Sequence, residues 1–277
     1  MNNMLKINLC LSILLDVISS LRMLYSFLLT DQRCVVCGEQ AKDIICTNCV
    51  NKLFYEKLEH KLKEPNQYCR CCARPLFCET EVCIACKREL AEKQKTCKEQ
   101  DVKIRSVCLF PYVAKYIDLV LIWKMEDMRS LSALFAQLIA RYISATPSLQ
   151  GIRIVPVPPR LSKLKTKGWD QIEDICLFLE AKHGMKIERL LCRKDGHTQK
   201  GLNKEERKKN VEGMFSLQPK VKKALQKNQP KGKVFQIPST VILLDDVITT
   251  GATLHACQEA LKEAGCSEII NMTLFFH

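Results

Sequence analysis

The sequence predicts an α/β fold, in which helices flank a parallel sheet, preceded by a small cysteine-rich module. From residue 105 onward, short apolar runs of strand length alternate with longer segments of helical periodicity, and this pattern is typical of parallel sheets. Before residue 90, eight of the 17 cysteines fall in four Cys-x-x-Cys pairs, which indicates a metal-binding module rather than a disulfide framework.

Length and charge narrow the class of protein further. A chain of 277 residues can bury one good core plus a small module. The formal charge of +13 is unevenly spread, because Arg193 to Lys233 carries 13 Lys or Arg against 4 Asp or Glu. Such a segment either binds polyanions, nucleic acid or pyrophosphate among them, or acts as a solubilising surface loop.

Residues 1–30 are predicted to form an amphipathic docking helix. Ile7 to Leu15 is apolar, but Asp16 and Arg22 interrupt any longer span. A membrane helix needs about 20 apolar residues, so we expect no membrane span. A signal peptide is the alternative, and Met4 or Met23 are alternative start sites. Seven apolar residues fall close to one helical face: Leu11, Leu14, Leu15, Ile18, Leu21 and Leu24–Tyr25.

Residues 31–90 are predicted to form a double zinc ribbon. Each Cys-x-x-Cys turn presents two sulfurs to one ion, and two turns complete a tetrahedron. With four thiolates per ion the role is structural, and reduced thiolates imply the cytoplasm. Cys71 and Cys78 leave the choice of ligands in the second set open, and buried free cysteines are the alternative. The predicted ligands are Cys34, Cys37, Cys46 and Cys49 for the first ion, and Cys69, Cys72, Cys83 and Cys86 for the second.

Residues 91–104 are polar and are predicted to form a linker. Residues 105–277 are predicted to form the α/β domain. Periodicity predicts one long helix over 116–143 and further helices over 170–182 and 253–264, the last closed by Gly265. Strands are predicted over 107–112, 152–157, 188–192, 214–217, 241–244 and 269–276.

The most informative stretch follows the strand 241–244. Asp245 and Asp246 are expected to stop that strand, and a loop of small residues then opens a helix. Carboxylates can accept hydrogen bonds from vicinal ribose hydroxyls, and the N–H groups and hydroxyls of such a loop can wrap a phosphate. A strand–turn–helix corner with solvated aspartates is the alternative. The candidate sugar-phosphate residues are Asp245, Asp246, Val247, Thr249, Thr250, Gly251, Ala252 and Thr253.

A second candidate anion site follows the strand 152–157. Pro156, Pro158 and Pro159 make a rigid turn, and Arg160, Lys163, Lys165 and Lys167 follow within eight residues. Arginine can grip phosphate with two hydrogen bonds, and lysines add point charges. Taken alone, a solvated basic turn is about equally compatible with this stretch.

The two stretches together resemble the ComF family, whose members are homologues of type I phosphoribosyltransferases. Lys167-Gly168-Trp169-Asp170-Gln171 stands where that family usually reads Arg-Gly-Phe-Asn-Gln, so Asp170 replaces a neutral amide. Lys124 also matches a family lysine. Later matches are Arg193, Thr198–Gln199, Leu202, Arg207, Asn210–Val211 and Phe215.

The resemblance implies a phosphoribosyltransferase-like sheet that binds phosphoribosyl pyrophosphate (PRPP) with Mg²⁺. Asp245, Asp246 and Arg160 would be the catalytic residues, and Pro156, Lys163 and Lys167 would join the PRPP site. It also implies single-stranded DNA as a partner and a role in DNA uptake, with other DNA-uptake proteins as candidate partners.

Candidate nucleic-acid contacts come from the basic segment and from one aromatic residue, for which core packing is the alternative reading. They are Lys200, Arg207, Lys208, Lys209 and Trp169. Three functions stay open: a nucleobase phosphoribosyltransferase of nucleotide salvage, a non-catalytic PRPP sensor that handles DNA, and a zinc-dependent interaction module.

Overall fold

The computed structural model describes residues 33–94, 103–194, 213–226 and 236–276. The predicted helix over 1–30 and the candidate contacts Lys200, Arg207, Lys208 and Lys209 lie outside these ranges. Within the described ranges, no helix is long and apolar enough to cross a membrane.

From residue 103 onward strands alternate with helices, as predicted, and two of the helices, over 161–167 and 219–226, were not predicted. The helices are α1 (Thr47–Val50), α2 (Glu56–Lys63), α3 (Ile84–Gln94), α4 (Lys115–Met125), α5 (Ser130–Ala145), α6 (Leu161–Lys167), α7 (Gln171–His183), α8 (Pro219–Gln226) and α9 (Ala252–Glu263). The strands are β1 (Lys103–Pro111), β2 (Arg153–Pro156), β3 (Leu191–Arg193), β4 (Phe215–Leu217), β5 (Thr240–Ile248) and β6 (Glu268–Phe276). A π-helical turn, Asn51–Tyr55, joins α1 to α2.

The chain divides into two compact units. The first takes its described residues from 1–64, 110–150 and 173–185, and the second from 65–109, 151–172 and 186–277. The first cysteine set therefore belongs to one unit and the second set to the other. The predicted division into segments 31–90, 91–104 and 105–277 stays a prediction.

An aromatic cluster forms the core of the first unit. Phe54 lies edge-on to Phe110 with ring centroids 5.1 Å apart, and it also contacts Tyr116 and Phe135. Trp123 packs edge-on to Phe135 at 4.8 Å. Since each of these side chains is at most 6% exposed, the cluster joins the π-helical turn to α4 and α5 mainly through buried apolar surface.

The prediction of one long helix over 116–143 is wrong, because this segment forms two helices, α4 and α5. Asp127 adopts a positive φ of 54°, a region that a helix interior does not use. The Met128 N–H donates to the Ile122 carbonyl at 3.4 Å, and the Arg129 N–H donates to the Asp127 carbonyl at 2.7 Å. The apolar periodicity continues across the break and therefore hides it.

A four-stranded sheet in the order β1-β6-β5-β2 forms the centre of the second unit. Strand β5 pairs in parallel with β2 on one side and with β6 on the other. The four apolar residues Val241–Leu244 are fully buried in β5, as expected for a strand covered on both faces. The predicted parallel α/β sheet is confirmed.

Two strand predictions need correction. The aspartates do not stop β5, which continues to Ile248 because β6 still offers backbone partners: Val247 pairs with Phe275 and Ile248 with Phe276. Strand β3 does not join the parallel sheet but pairs antiparallel with β4. The face of this small hairpin packs against α9 and β5 through Leu191, Phe215, Leu254 and Leu243.

Candidate functional site

Two chain segments that carry the predicted binding residues leave the sheet side by side. Pro156, the last residue of β2, pairs with Leu244 of β5, and the Val157 N–H then donates to the Leu244 carbonyl at 2.9 Å. The acid pair follows Leu244, and the proline turn follows Pro156. Because ligands of parallel α/β sheets bind beyond the carboxyl ends of the strands, the structure brings both segments to the expected edge.

The acid pair is oriented by its own backbone. The Asp246 N–H donates to Asp245 Oδ1 at 2.8 Å, and the Val247 N–H donates to Asp246 Oδ1 at 2.6 Å. Both side chains are half-buried. Each carboxylate is therefore held in one orientation at the point where β2 ends and β5 continues with β6 alone.

The loop after β5 has the geometry of an anion-binding turn. Gly251 adopts a left-handed conformation with φ of 73° and begins α9. Thr249 and Thr250 are exposed, and Thr253 is half-buried. The Thr250 hydroxyl lies 3.4 Å from the Ala252 N–H. The loop thus presents hydroxyls and helix N-terminal N–H groups together, which favours a phosphate.

The cationic segment begins with Arg160, which is exposed and precedes α6. Lys163 on α6 donates to Gln171 Oε1, and its ammonium lies 3.9 Å from Asp170 Oδ2. Asp170 stands where the ComF family usually has asparagine. Its carboxylate also caps α7 by accepting a hydrogen bond from the Ile172 N–H at 3.0 Å. The residue therefore has a structural role, and it holds Lys163 beside Gln171.

The candidate stacking residue Trp169 is buried, and so is Phe215 on β4. Trp169 is 6% exposed and Phe215 5%. The Lys167 ammonium lies 5.9 Å from the centroid of the Trp169 ring, and the Arg193 guanidinium lies 5.2 Å from that of Phe215. Burial favours the core-packing reading of both rings, and the assignment of Trp169 to nucleic-acid binding stays a prediction.

Arg193 is a residue of this region to which sequence reasoning assigned no role. It lies at the end of β3 opposite Phe215. Burial chiefly raises the pKa of the Cys257 thiol on α9; the charge of Asp245 raises it further, and that of Arg193 lowers it. The charges of Asp245 and Arg193 therefore both act on the pKa of one buried thiol. The sequence signal that could have pointed to Arg193 is its match to the ComF family spacing.

Both cysteine sets have the geometry of a metal centre. The four Sγ atoms of each set lie within 4.8 Å of one another: Cys34, Cys37, Cys46 and Cys49 in one set, and Cys69, Cys72, Cys83 and Cys86 in the other. Cys37 and Cys46 are 3.8 Å apart and Cys72 and Cys83 are 3.7 Å apart, measured between sulfurs. Tetrahedral ligation at Zn–S of about 2.3 Å separates sulfurs by about 3.8 Å, so the residues fit zinc.

Backbone N–H groups stabilise one thiolate in each set. Burial raises the pKa of Cys34, but N–H donors of the knuckle outweigh it and lower that pKa to about 6. In the same way the pKa of Cys69 is lowered to about 7. Burial and neighbouring thiols raise the pKa of Cys49 to about 12. One sulfur per set is therefore ready to bind a cation, and others give up a proton when it binds.

Comparisons with known proteins agree with this architecture. The model of the phosphoribosyl transferase domain matches residues 206–277. Competence protein ComFC of Streptococcus pneumoniae is 23% identical over 87% of this chain and 99% of its own length. Competence protein F of Haemophilus influenzae is 30% identical over 42% of this chain and 46% of its own.

A solved hypoxanthine phosphoribosyltransferase from Staphylococcus aureus also matches, at 14% identity and a TM-score of 0.28. The match covers 55% of this chain and 64% of that one. The fold assignment depends instead on the parallel sheet and on the domain match.

The sheet, the loop after β5 and the domain match define a phosphoribosyltransferase-like protein that carries cysteine-rich metal-binding sites. Within that class, the chain is similar to the competence proteins ComFC and F, which supports the resemblance to the ComF family. The motif resemblance is confirmed at both levels.

Proposed function

We propose that this protein binds PRPP with Mg²⁺ and acts in handling single-stranded DNA during competence, in the cytoplasm. The observation that carries the PRPP part is the placement of two anion-binding segments on neighbouring parallel strands, joined at Pro156 and Leu244. Fold alone would support the class and not the ligand.

Each part of PRPP has matching residues in this proposal. Asp245 and Asp246 accept hydrogen bonds from the ribose hydroxyls. The residues from Val247 and Thr249 to Thr253 surround the 5-phosphate. Pyrophosphate lies against Pro156, Arg160, Lys163 and Lys167, whose charges offset its own.

The donor set of the site fits Mg²⁺, because carboxylate oxygens and phosphate oxygens are the ligands that this ion prefers. When bound, the ion neutralises charge on the pyrophosphate. Arg160 would stabilise the charge that develops as pyrophosphate leaves, and the acid pair would position the ribose. Binding is common to a nucleobase phosphoribosyltransferase of nucleotide salvage and to a PRPP sensor, and an assay of pyrophosphate release with nucleobases separates them.

Titration calorimetry of PRPP with Mg²⁺ tests the binding proposal. Asp245→Asn and Asp246→Asn are expected to weaken binding roughly 10- to 100-fold, as loss of hydrogen bonds to charged groups does. Asp118→Asn, at an exposed position of α4, is the matched control and should bind normally. Absence of saturable binding by the wild-type protein at millimolar PRPP would refute the proposal.

A specific surface supports the nucleic-acid part. Phe77 is 91% exposed and Ile84 55% exposed. Glu79 accepts hydrogen bonds from the Phe77 N–H at 3.2 Å and from the Cys78 N–H at 3.3 Å, and its pKa is lowered by these and by the Ile84 N–H. One carboxylate thus holds the Phe77 turn against the start of α3.

Two cations follow Ile84 on the same helix. Lys87 and Arg88 are exposed and follow Ile84 at helical spacings of three and four, so all three lie on one face of α3. Exposed aromatic rings and cations are the side chains that hold single strands by stacking and charge.

Fluorescence anisotropy with labelled oligonucleotides tests this surface. Phe77→Ala is expected to weaken single-strand binding roughly 5- to 100-fold, the range for loss of one stacking contact. Val35→Ala, at an exposed apolar position of the first cysteine set, is the control. Equal affinity of the Phe77 variant and the wild type would exclude the surface.

A further inference from the structure

The side-chain amide of Gln171 is buried with one end paired and the other unpaired. Gln171 is 1% exposed, and its Oε1 accepts a hydrogen bond from Lys163 Nζ. Its Nε2 has no hydrogen-bond partner among the residues that the structure describes. An ammonium group only donates, so the amide oxygen must face Lys163, and the opposite orientation of the amide is excluded.

An unpaired buried donor lowers stability, and folded proteins contain few of them. Gln258, the other buried glutamine of the described second unit, shows the usual arrangement. It is 6% exposed, and its Nε2 donates to Asn271 Oδ1 at 2.8 Å. Gln171 therefore lacks an acceptor that Gln258 has.

The position of this donor indicates which acceptor is missing. Gln171 follows the cationic segment that begins at Arg160, and the Lys163 ammonium contacts the same amide. A donor and a cation at one point favour an anionic oxygen over a neutral one.

We propose that Gln171 is a further anion-binding residue, whose Nε2 donates to an oxygen of pyrophosphate while Lys163 supplies charge. The inference rests on the proposed function of the site. It adds a residue that binds the pyrophosphate part of PRPP.

A small movement of helix α6 would open a path for the anion to this buried donor. Across Leu161–Lys167, all of which the structure describes, no side chain is buried, and Leu161 and Leu164 are 45% and 38% exposed. A small outward shift of α6 therefore loses little apolar contact. Because Lys163 lies on α6 and contacts Gln171, the same shift carries the ammonium along with the entering oxygen.

Titration calorimetry with three ligands tests the proposal: inorganic pyrophosphate, PRPP and ribose 5-phosphate, each with Mg²⁺. Gln171→Glu keeps the shape and the contact with Lys163 but replaces the donor with an acceptor. Gln171→Met removes both the unpaired donor and the oxygen that accepts from Lys163. Both variants are expected to bind pyrophosphate and PRPP roughly 10- to 100-fold more weakly and ribose 5-phosphate as tightly as the wild type does.

Two controls separate binding from folding. Gln258→Met leaves Asn271 Oδ1 unpaired, so it should lower the melting temperature and leave pyrophosphate affinity unchanged. Gln171→Met should lower the melting temperature less than Gln258→Met does, because it removes an unpaired donor together with one hydrogen bond from Lys163, whose ammonium also lies beside Asp170. The reverse pattern of melting temperatures would mean that a buried water satisfies Nε2, and would overturn the proposal.

The outcomes also separate this inference from the proposed function. Wild-type binding of PRPP with unchanged affinities in both Gln171 variants would refute the role of Gln171 and leave the PRPP site standing. If the wild-type protein binds pyrophosphate but not PRPP, the proposed function is refuted. The Gln171 variants would then still show whether Gln171 binds pyrophosphate. A wild-type protein that binds neither ligand would refute both.

Discussion

Gly251 occupies a left-handed conformation at the turn between β5 and α9, and this conformation rather than space is what requires glycine. A Cβ atom at this position would meet the nearest described atom, Ile248 Cδ1, at an ordinary 3.9 Å. Gly251→Ala is therefore expected to destabilise the fold by about 1–2 kcal/mol and to weaken PRPP binding, because relief of strain would move the loop N–H groups. Urea denaturation and calorimetry measure the two effects.

Gly265, at the other end of α9, is the matched control for that substitution. Its φ of +99° is also positive, and no described atom lies within 4 Å of a Cβ built there. Gly265→Ala should cost similar stability and leave PRPP affinity unchanged. If both variants lose affinity equally, loop geometry is not what binds the phosphate.

The ion pair between Arg129 and Asp174 predicts an asymmetry between its two partners. Arg129 Nε donates to Asp174 Oδ2 at 2.7 Å; the Asp174 side chain is 7% exposed and that of Arg129 33%. Arg129→Met leaves a buried carboxylate without its partner and should cost about 3–5 kcal/mol. Asp174→Asn leaves a guanidinium that water can reach and should cost about 1–2 kcal/mol.

Urea denaturation of the two variants measures that difference. Arg141→Met removes one partner of an exposed pair with Glu59, in which both side chains are about half exposed, and should change stability by about 0–1 kcal/mol. A cost for Asp174→Asn that equals or exceeds that of Arg129→Met would contradict the burial argument.

At the scale of elements, the two cysteine sets predict a metal stoichiometry. The wild-type protein should carry two zinc ions, and Cys86→Ser should reduce the content to one. Cys71 and Cys78 lie within the second set in sequence but outside the described group of four converging sulfurs. Cys71→Ser and Cys78→Ser should each retain two ions, as elemental analysis of purified protein would measure. Loss of an ion in either control would reassign the ligands.

The pKa values of the first set predict how many protons metal binding releases. Above about pH 6 Cys34 is a thiolate, whereas Cys49, with a pKa of about 12, keeps its proton until the metal binds. As pH falls through 6, Cys34 is protonated too, so binding must release one further proton and affinity falls more steeply. Calorimetry of the Cys86→Ser protein in buffers of different ionisation enthalpy counts these protons.

At the scale of the whole molecule, the division into two units predicts local effects of metal loss. The first cysteine set belongs to the unit that contains α4 and α5, and the second to the unit that contains the parallel sheet. Cys49→Ser should raise amide hydrogen exchange in α5 with little change in β5. Cys86→Ser should raise exchange in β1, because the Ser106 N–H donates to the Arg70 carbonyl at 2.7 Å. Uniform loss of protection in either variant would mean that the units unfold together.

Much of the fold was predictable because its signals are local. The buried run Val241–Leu244 and the small residues after it predict a strand, a turn and a helix, and all three are present. The end of β5 was not predictable from the aspartates, because β6, which begins some 20 residues later, supplies the partners that extend it to Ile248. The break at Asp127 was missed for a related reason: burial preserves apolar periodicity on both sides of it.

The sequence by itself determined the cysteine pairs, the acid pair, the small-residue loop after it and the ComF resemblance, because each depends on residue types at short fixed spacings. Only the tertiary structure decided that Asp170 caps α7 and holds Lys163, that Trp169 is buried, and that one end of the Gln171 amide has no partner within the described part of the chain. These facts depend on which side chains meet in space and on what covers them. Hydrogen bonding and burial are settled by packing across the whole unit, which local spacing does not encode.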